Sequence, residues 1–305
     1  EDALGDLRGV PCDRHELGGH RVPDPDPAGA CVVAVRVLRD LDPLFQRTAT
    51  EGESLFQQIP AEAVKDKQPK FFVIEHVKGI LDEKHKESLD GFMKFLRDAG
   101  YDITYELLNA ADYKIPQDRF RVFFIGIRND LTNKYTFPNA VTTAPITLKQ
   151  AIGDIVETPR FYTDDLVVGD HPQRLNHDVY SGAYDTKYMA RNRVRNWNEI
   201  SFTMQAQARN IPQHPQAPKM TYISSSKRIF ANGYEHLYRR LSVRECARIQ
   251  TFPDSYQFIL PKTKENVSVS SSDAYKIIGN AVPCVLAYNI AKNIEAKWNL
   301  YFGEK

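Results

Sequence analysis

An acidic residue closes a short apolar run in the sequence FFVIEHVKGI, where Phe71 to Ile74 lead directly to Glu75. An unperturbed glutamate has a pKa of about 4.3, so a carboxyl group must be partly removed from water to hold a proton near neutral pH, and the end of a buried strand is a suitable place. Such a group could supply or share a proton as a general acid near neutral pH. The alternative is that Glu75 is only the polar residue at which a strand ends.

Two arginines form a second group of candidate residues, in the sequence QDRFRVFFIG that begins at Gln117. Arg119 and Arg121 stand at alternate positions where a strand begins, so their side chains should point the same way. This shared direction makes both of them candidates for one site. The alternative is that they are edge charges that discourage pairing with another strand.

Positive charge is concentrated between Lys187 and Arg240, although the net charge of the chain is only +1. The only acids in this stretch are Glu199 and Glu235. Such a local excess favours a surface for a polyanion, and a solvated basic face is the alternative. The basic residues are Lys187, Arg191, Arg193, Arg195, Arg209, Lys219, Lys227, Arg228, Arg239 and Arg240.

Within this stretch, the sequence RNRVR carries Arg191, Arg193 and Arg195 at alternate positions. On an extended segment these side chains would share one face. Bidentate arginine–guanine contacts in the major groove would then suit a G-rich DNA site. A charged edge strand is the alternative.

The bulk properties fit one large domain or two smaller domains, since the chain has 305 residues. No apolar run is long enough to span a bilayer, and no secretory signal is visible. Among the four cysteines, Cys12, Cys31, Cys246 and Cys284, there is no C-x-x-C pair, so neither a zinc site nor a disulfide framework is indicated. This favours a reducing, cytoplasmic compartment with no membrane partner.

The periodicity of the first half predicts an α/β layout of strand, helix, strand and strand. KFFVIEH reads as a buried strand that ends at Glu75, and KHKESLDGFMKFLRDAG as a helix with Gly100 as its cap. DITYELLNA and RVFFIGIR follow as strands. The apolar face of the predicted helix consists of Leu89, Phe92, Met93 and Leu96.

The second half divides into a loop-rich region and a helical tail. From about Ala151 to Glu235 periodicity is weak, and Pro, Gly and Asn are frequent. The tail VPCVLAYNIAKNIEAKW is predicted to be helical, with Leu286, Ile290 and Ile294 on one face.

The N-terminal segment differs in composition from the rest of the chain. Residues 1–58 contain no Lys, Asn, Ile, Tyr, Met or Trp, and these types become common afterwards. The absent types mostly have AT-rich codons, which suggests a segment of foreign origin through fusion or an altered reading frame. An ordinary loop-rich extension is the alternative.

Four blocks give the chain a family resemblance. The segment EHVKGI resembles the ENV block of the C5-cytosine DNA methyltransferases of restriction–modification systems, and QDRFR resembles their Q-x-R-x-R block. Their penultimate block is similar to RRLSVRECARIQTFP, and their last block is similar to GNAVP. Any one block would be weak, but four in the family's order are highly specific. The resemblance covers residues 55–305, and the region 189–220 is similar to the target-recognition region of HaeIII-type enzymes, which modify the inner cytosine of GGCC.

The resemblance implies a fold and an organisation of the chain. The fold is α/β: a Rossmann-like S-adenosylmethionine-dependent methyltransferase sheet, incomplete at its N-terminus, with a smaller, loop-rich target-recognition domain. The final helix should return to this sheet. The implied divisions are an atypical segment 1–54, a partial catalytic domain 55–150, a target-recognition region 151–235 and a return to the catalytic domain over 236–305.

The resemblance also implies the chemistry of the candidate residues. In this family a cysteine thiolate adds to cytosine C6, and C5 then takes the methyl group of S-adenosylmethionine. Glu75 would give or share a proton at N3, Arg121 would contact O2, and Arg119 would steady the site and the nearby backbone. The base must first leave the stack.

Cofactor and DNA contacts follow from the same resemblance. The implied cofactor-binding residues are Asn280, Ala281 and Val282, and Asn280 could instead cap the last helix. The implied base-reading residues are Arg191, Arg193 and Arg209, and Arg195 is a further predicted DNA contact. Lys227 and Arg228 have no match in the family region and are predicted to contact phosphate. The implied partners are double-stranded DNA, a cognate restriction endonuclease system and a missing N-terminal half.

Three departures from the family pattern bear on activity. His76 stands where the family has Asn, and the blocks F-x-G-x-G and P-C-Q are not found in the 305 residues. The family cysteine should lie near residues 36–40, where there is none. Cys12 follows a proline but lies too far upstream, and Cys31 has no proline before it.

Three functional hypotheses therefore remain open. The first is a DNA (cytosine-5-)-methyltransferase by descent, which could be inactive as this chain alone. The second is a DNA-binding module without catalysis, either a remnant or one half of a split enzyme. The third, a Rossmann enzyme that acts on a small substrate, is disfavoured by the basic region.

Overall fold

A four-stranded mixed sheet organises the first half of the structure. The computed structural model describes residues 32–36 by their backbone and residues 64–131, 134–141, 144–163, 174, 176–260 and 268–303 in full. The strands are β1 (Val32–Arg36), β2 (Phe71–Val77), β3 (Tyr101–Asn109) and β4 (Phe120–Arg128). Their order is β1-β2-β4-β3, with β1 parallel to β2 and the other neighbours antiparallel.

The strand β1 lies inside the segment 1–54, and its pairing with β2 was not predicted from the sequence. In its register, Arg36 is opposite Glu75. Because the carboxyl ends of parallel neighbours meet at one edge of a sheet, Arg36 and Glu75 lie at the same edge. The origin proposed for residues 1–54 stays a prediction.

One face of the sheet is covered by the predicted helix, α1 (Lys86–Asp98). All four residues of its predicted apolar face are buried, and they pack against Phe72, Ile74 and Phe124 of the sheet. Gly100 follows the helix with a φ of +94°, a left-handed conformation that favours glycine, as expected of a cap. The prediction of this helix is confirmed.

The opposite face is covered by the end of the chain, α5 (Cys284–Ala296) and α6 (Trp298–Phe302). Leu286, Ile290 and Ile294 are buried against this face, because residues three to four positions apart share one side of a helix. The final helix therefore returns to the sheet, as predicted. Glu75 belongs to this face, because it lies four positions after the buried Phe71 on β2 and every second residue of a strand points to the same side.

A second core lies beside the sheet and draws on distant parts of the chain. It includes α2 (Leu148–Ile152), α3 (Val243–Ile249) and α4 (Ser271–Asn280). The short strands β5 (Arg160–Tyr162) and β6 (Asp178–Tyr180) pair beside it. Residues from both sides of the predicted division at residue 235 meet in this core.

The recognition region contains little regular structure, in agreement with the weak periodicity of its sequence. Its main regular element is a hairpin of β7 (Thr221–Ser224) and β8 (Lys227–Ile229), most of which is exposed. In the part of the chain that the structure describes, no helix has the length and apolar character needed to cross a membrane.

Candidate active site and nucleic-acid interface

Glu75 and Arg121 form an ion pair on the face of the sheet that α5 covers. In the antiparallel register Glu75 is opposite Phe123 and Arg121 is opposite Val77, so the two side chains are diagonal neighbours. The distance from Arg121 Nε to Glu75 Oε1 is 2.8 Å, and the two side chains are 14% and 10% exposed. The structure thus brings together two of the residues predicted to share a site.

The electrostatics of this pair act on the guanidinium of Arg121. Burial lowers the pKa of the Arg121 guanidinium, while the neighbouring Glu75 carboxylate acts in the opposite direction. Arginine nevertheless stays protonated in proteins. Arg121 Nη1 also donates to the carbonyl of Phe120 at 2.7 Å, which fixes the orientation of the guanidinium beside Glu75.

His76 lies on the other side of β2, since neighbouring side chains of a strand point to opposite faces. Its Nδ1 is 3.1 Å from the carbonyl oxygen of Val77. The side chain is half-buried, and its contact lies at the end of the strand. This placement agrees with the expectation that His76 does not compete for the space beside Glu75.

Arg119 connects the start of β4 to two other segments. Its side chain is 1% exposed, and Nη1 donates to the carbonyl of Met204 at 3.1 Å. Nη2 donates to the carbonyls of Gly279 and Ala281, both at 3.0 Å. Arg119 therefore joins the start of β4 to the backbone at Met204, Gly279 and Ala281, and its role in steadying the site stays a prediction.

The end of α4 approaches the recognition region very closely at Gly279. A Cβ atom at this position would lie 2.3 Å from the carbonyl oxygen of Gln205. The neighbouring Gln250 donates to the carbonyls of Ile278 and Ala281 and accepts from Gln117 at 3.0 Å. The block GNAVP is thereby fixed against both the sheet edge and the recognition region.

The three predicted cofactor residues lie at this junction and differ in what they can offer. Asn280 is half-buried, and its side chain makes no hydrogen bond with the described residues. Ala281 already uses its N–H on Ile278 and its carbonyl on Arg119. The alternative that Asn280 caps the last helix is wrong, because it ends α4 and the residue before α5 is Pro283.

The arginines of RNRVR occupy three different environments, although a common face was expected. Arg191 is exposed and makes no side-chain hydrogen bond or ion pair within the described residues. Arg193 is buried, donates to the carbonyl of Tyr188 at 3.0 Å and lies over the Tyr188 ring. Arg195 pairs with Glu199 at 3.4 Å and covers the ring of Phe202.

Two of the other basic residues are internal. Arg239 makes two hydrogen bonds, of 2.8 and 2.7 Å, to the fully buried carboxylate of Glu245. Arg240 is 1% exposed and is surrounded by the rings of Tyr180, Tyr184 and Tyr188. The basic surface is therefore smaller than the count of residues suggests.

The remaining predicted DNA contacts are at the surface. Arg209 is exposed, and its carbonyl accepts from Arg240 Nε at 3.2 Å. Lys227 is exposed at the start of β8, while the guanidinium of Arg228 lies 5.1 Å from the ring of Tyr222 in the same hairpin. These side chains can reach a phosphate without breaking an ion pair in the described part of the protein.

A pocket of about 240 Å³ lies between the QDRFR segment and the recognition region. The charged residues that line it are Arg191, Arg193 and Asp118. Asp118 was not among the predicted site residues, because it stands at a variable position of Q-x-R-x-R. Only the fold shows that it lines the same pocket as the two arginines.

The two cysteines of the described residues differ in burial. Cys246 is buried in the second core, and burial raises the pKa of its thiol well above the ordinary value. Cys284 begins α5. Both cysteines lie in helices, as predicted, while Cys12 and Cys31 lie outside the described residues.

The sequence and the fold both match known proteins. The profile of the C-5 cytosine-specific DNA methylase family matches residues 46–296. The chain is 38% identical over 294 residues to the type II methyltransferase M.MthTI of Methanothermobacter thermautotrophicus, a match that covers 96% of this chain and 79% of the relative. It is 42% identical over 252 residues to the type II methyltransferase M.NgoPII of Neisseria gonorrhoeae, with 80% and 69% covered.

Among solved structures, the fold is similar to that of a DNMT2 mutant of Spodoptera frugiperda. The TM-score is 0.52 and the sequence identity 14%, with 87% of this chain and 79% of the other chain covered. At this identity the similarity concerns the fold alone.

Proposed function

Because the chain belongs to the C-5 cytosine-specific DNA methylase family, we propose that it supplies the acid and the target-recognition region of a DNA (cytosine-5-)-methyltransferase. Its substrate is a cytosine in a short, GGCC-like duplex site. Its setting is a type II restriction–modification system with a cognate restriction endonuclease. The observation that supports this most strongly is the Glu75–Arg121 pair at the edge where β1 and β2 end.

The pair suits the charge that develops during the reaction. Addition of a thiolate at cytosine C6 places negative charge on the ring, at N3 and O2. Glu75 shares a proton with N3, and Arg121 donates to O2 while its Nε stays beside Glu75. The positive charge of the Arg121 guanidinium is then shared between the Glu75 carboxylate and the O2 atom of cytosine. Arg119 keeps the supporting backbone in place.

The cofactor of this family is S-adenosylmethionine, which supplies the methyl group. Asn280 fits a role in its binding, since its half-buried side-chain amide has no hydrogen bond within the described residues. Val282 follows in the same turn. Ala281 fits less well, because its N–H and carbonyl are both engaged inside the protein.

Recognition of the site rests on basic residues that line the pocket or lie at the surface of the recognition region. Arg191, Arg193 and Arg209 are the base readers of the proposal, and a bidentate contact from arginine to guanine is the commonest specific contact in the major groove. Arg193 holds its orientation by stacking on Tyr188. Lys227 and Arg228 contact phosphates, which adds affinity without sequence preference.

A second candidate function is sequence-specific DNA binding without catalysis, as a remnant or as one half of a split enzyme. The observation that favours it is that the 305 residues contain neither P-C-Q nor F-x-G-x-G. The same acid, arginines and recognition region would then serve only to bind and orient DNA, or to complete a site that a second chain provides.

The test uses an extended version of the chain that carries both blocks upstream of Glu75, with methyl transfer from labelled S-adenosylmethionine to a GGCC duplex as the readout. We expect transfer in the extended version, and a loss of about 10²- to 10⁴-fold in Glu75→Gln, because a positioned general acid contributes this much. Near-normal turnover of Glu75→Gln would return Glu75 to the role of a strand-end residue. The matched control is Glu106→Gln, which changes an exposed acid on β3.

The unextended chain separates the two candidate functions. If it transfers methyl groups only when the missing blocks are supplied on a second polypeptide, it is one half of a split enzyme. If neither form transfers methyl groups but the chain prefers GGCC over a scrambled duplex, the non-catalytic candidate is correct.

A further inference from the structure

The pocket between the QDRFR segment and the recognition region is lined by two arginine hydrogen-bond donors and by one carboxylate acceptor. Its volume of about 240 Å³ is below the range of roughly 300–1,000 Å³ that is usual for small-molecule sites. It can therefore admit the exposed edge of a larger molecule better than a whole free ligand. Two arginines and one carboxylate supply its charge.

The donors of the pocket are the guanidinium groups of Arg191 and Arg193, and some of their N–H groups make no hydrogen bond within the described residues. Arg193 commits Nε to the carbonyl of Tyr188 and Nη2 to the carbonyl of Lys187, and Nη1 has no hydrogen-bond partner among the described residues. Burial and the positive charge of Arg191 both lower the pKa of Arg193. Two guanidinium groups held close together without a shared carboxylate favour a ligand that offers hydrogen-bond acceptors.

The acceptor side is fixed in position by its backbone. The N–H of Asp118 donates to the carbonyl of Ser201 at 2.9 Å, and its carbonyl accepts from Thr203 Oγ1 at 2.6 Å. In the side chain, Oδ1 accepts from Asn109 Nδ2 at 3.2 Å. Oδ2 makes no hydrogen bond within the described part of the chain, so one carboxylate oxygen remains available at a defined place.

An ordinary explanation for a carboxylate near arginines is an internal ion pair, and the structure does not support it. Among the residues that the structure describes, no ion pair joins Asp118 to Arg191 or Arg193. The opposite charges line one pocket but stay apart. The two arginine donors and the separate Asp118 acceptor fit a ligand that presents hydrogen-bond acceptors next to a hydrogen-bond donor.

We propose that this pocket reads the major-groove edge of one G·C base pair of the DNA site, with Asp118 as a specificity-determining residue. Arg191 and Arg193 donate to guanine N7 and O6, and Asp118 Oδ2 accepts from the N4 amino group of the paired cytosine. This pattern is unique to G·C, since an A·T pair would place the O4 atom and the methyl group of thymine against the carboxylate. The inference rests on the proposed function, because it specifies how that function selects its site.

The experiment measures competition binding of the 305-residue chain to a GGCC duplex and to duplexes in which one non-target cytosine is replaced by 2-pyrimidinone, which lacks the N4 amino group. We expect the unmodified protein to lose about 5- to 150-fold in affinity at one of these positions. Asp118→Ala should bind the GGCC duplex more weakly by a similar factor and lose nothing further on the amino-deleted duplex. The control is Asp112→Ala, an exposed acid of the preceding turn.

A second variant keeps the test decisive if Asp118→Ala does not fold. Asp118→Asn retains the shape of the side chain and removes its charge, and it should show a smaller dependence on the cytosine amino group than the unmodified protein. If both proteins depend equally on that group, or if the unmodified protein depends on it at no position, Asp118 does not read cytosine. If the unmodified protein shows no preference for GGCC over a scrambled duplex, the proposed function fails as well.

Discussion

Arg121 and Glu75 are diagonal neighbours on two antiparallel strands, with Arg121 Nε 2.8 Å from Glu75 Oε1. The strand register, which is set by long-range pairing, places an acid from the middle of the chain's first half beside an arginine 46 positions later. Both side chains are almost fully buried, so each depends on the other for its electrostatic balance.

A double-mutant cycle measures this dependence. Glu75→Gln, Arg121→Met and the double variant are compared by urea unfolding of the 305-residue chain. We expect a coupling energy of more than about 1 kcal/mol, because removal of one partner leaves an uncompensated buried charge. The matched control is the exposed pair Lys94–Asp98 in α1, where the coupling should stay below about 0.5 kcal/mol. Equal coupling in the two cycles would show that the Glu75–Arg121 pair is solvated.

Two glycines provide opposite predictions for the same substitution. In Gly279→Ala the new Cβ would lie 2.3 Å from the carbonyl oxygen of Gln205, so we expect a loss of at least about 1–3 kcal/mol in the free energy of unfolding. In Gly91→Ala the new Cβ meets no atom within 4 Å, and the site is inside α1. That variant should be more stable by about 0.4–1 kcal/mol. Tolerance of Ala at Gly279 would contradict the close approach of α4 to the recognition region.

The stability of the protein should fall in mild acid because of a buried cluster around Glu245. Burial lowers the pKa of His214 from 6.5 to about 4, and it also lowers the pKa of His177. Burial alone would raise the pKa of Glu245, but Arg239 and the histidines outweigh this and bring it to about 2. The neutral histidines of the folded state must become charged as pH falls, so unfolding takes up protons.

The sign follows from linkage. Between pH 6.5 and 4 the unfolded chain binds more protons at His214 than the folded chain does, so the stabilisation is complete above pH 6.5 and is lost toward pH 4. Each proton taken up on unfolding changes the free energy of unfolding by up to about 1.4 kcal/mol per pH unit. We expect His214→Gln to reduce the slope of unfolding free energy against pH by up to one proton in this window. The control is His85→Gln, at an exposed histidine before α1, which should have the slope of the unmodified protein. If His214→Gln also has the slope of the unmodified protein, the assignment of this proton uptake to His214 is wrong.

The residue that replaces the family's Asn gives a prediction about activity. His76 lies on the face opposite Glu75 and contacts the carbonyl of Val77. His76→Asn in the extended version should therefore be neutral or beneficial for methyl transfer, since Asn can hold the same end of the strand. A large loss of activity would mean that His76 has a role of its own.

Features that depend on local sequence could be predicted well. The helix α1 and the burial of Leu286 and Ile290 follow from a periodicity that is visible within a few turns. Glu75 was placed at the end of a buried strand, although β2 continues to Val77, two residues further. The run of apolar residues ends at Glu75, but pairing with β4 extends the strand beyond it.

The features that could not be predicted depend on contacts between distant segments. Arg240 was counted with the DNA-facing charges, but tyrosine rings and the carbonyls of Tyr180, Gly182, Ala183 and Arg209 enclose it. Asp118 carried no signal in the sequence, because its neighbours in the pocket are more than seventy positions away. Charge counts along a sequence do not distinguish a solvated arginine from one that is satisfied internally.

The most direct test of sequence-specific DNA recognition is competition binding of the 305-residue chain to GGCC-containing and scrambled duplexes at two salt concentrations. We expect the unmodified protein to prefer GGCC. In Arg193→Ala, and in Arg191→Ala at the exposed neighbouring arginine, the difference in binding free energy between the two duplexes should fall by about 1–3 kcal/mol. Lys227→Ala should weaken binding to both duplexes equally and lower the salt slope by about one unit. If the arginine variants keep the preference of the unmodified protein, the base-reading assignment is wrong; if the unmodified protein has no preference, the chain does not recognise GGCC.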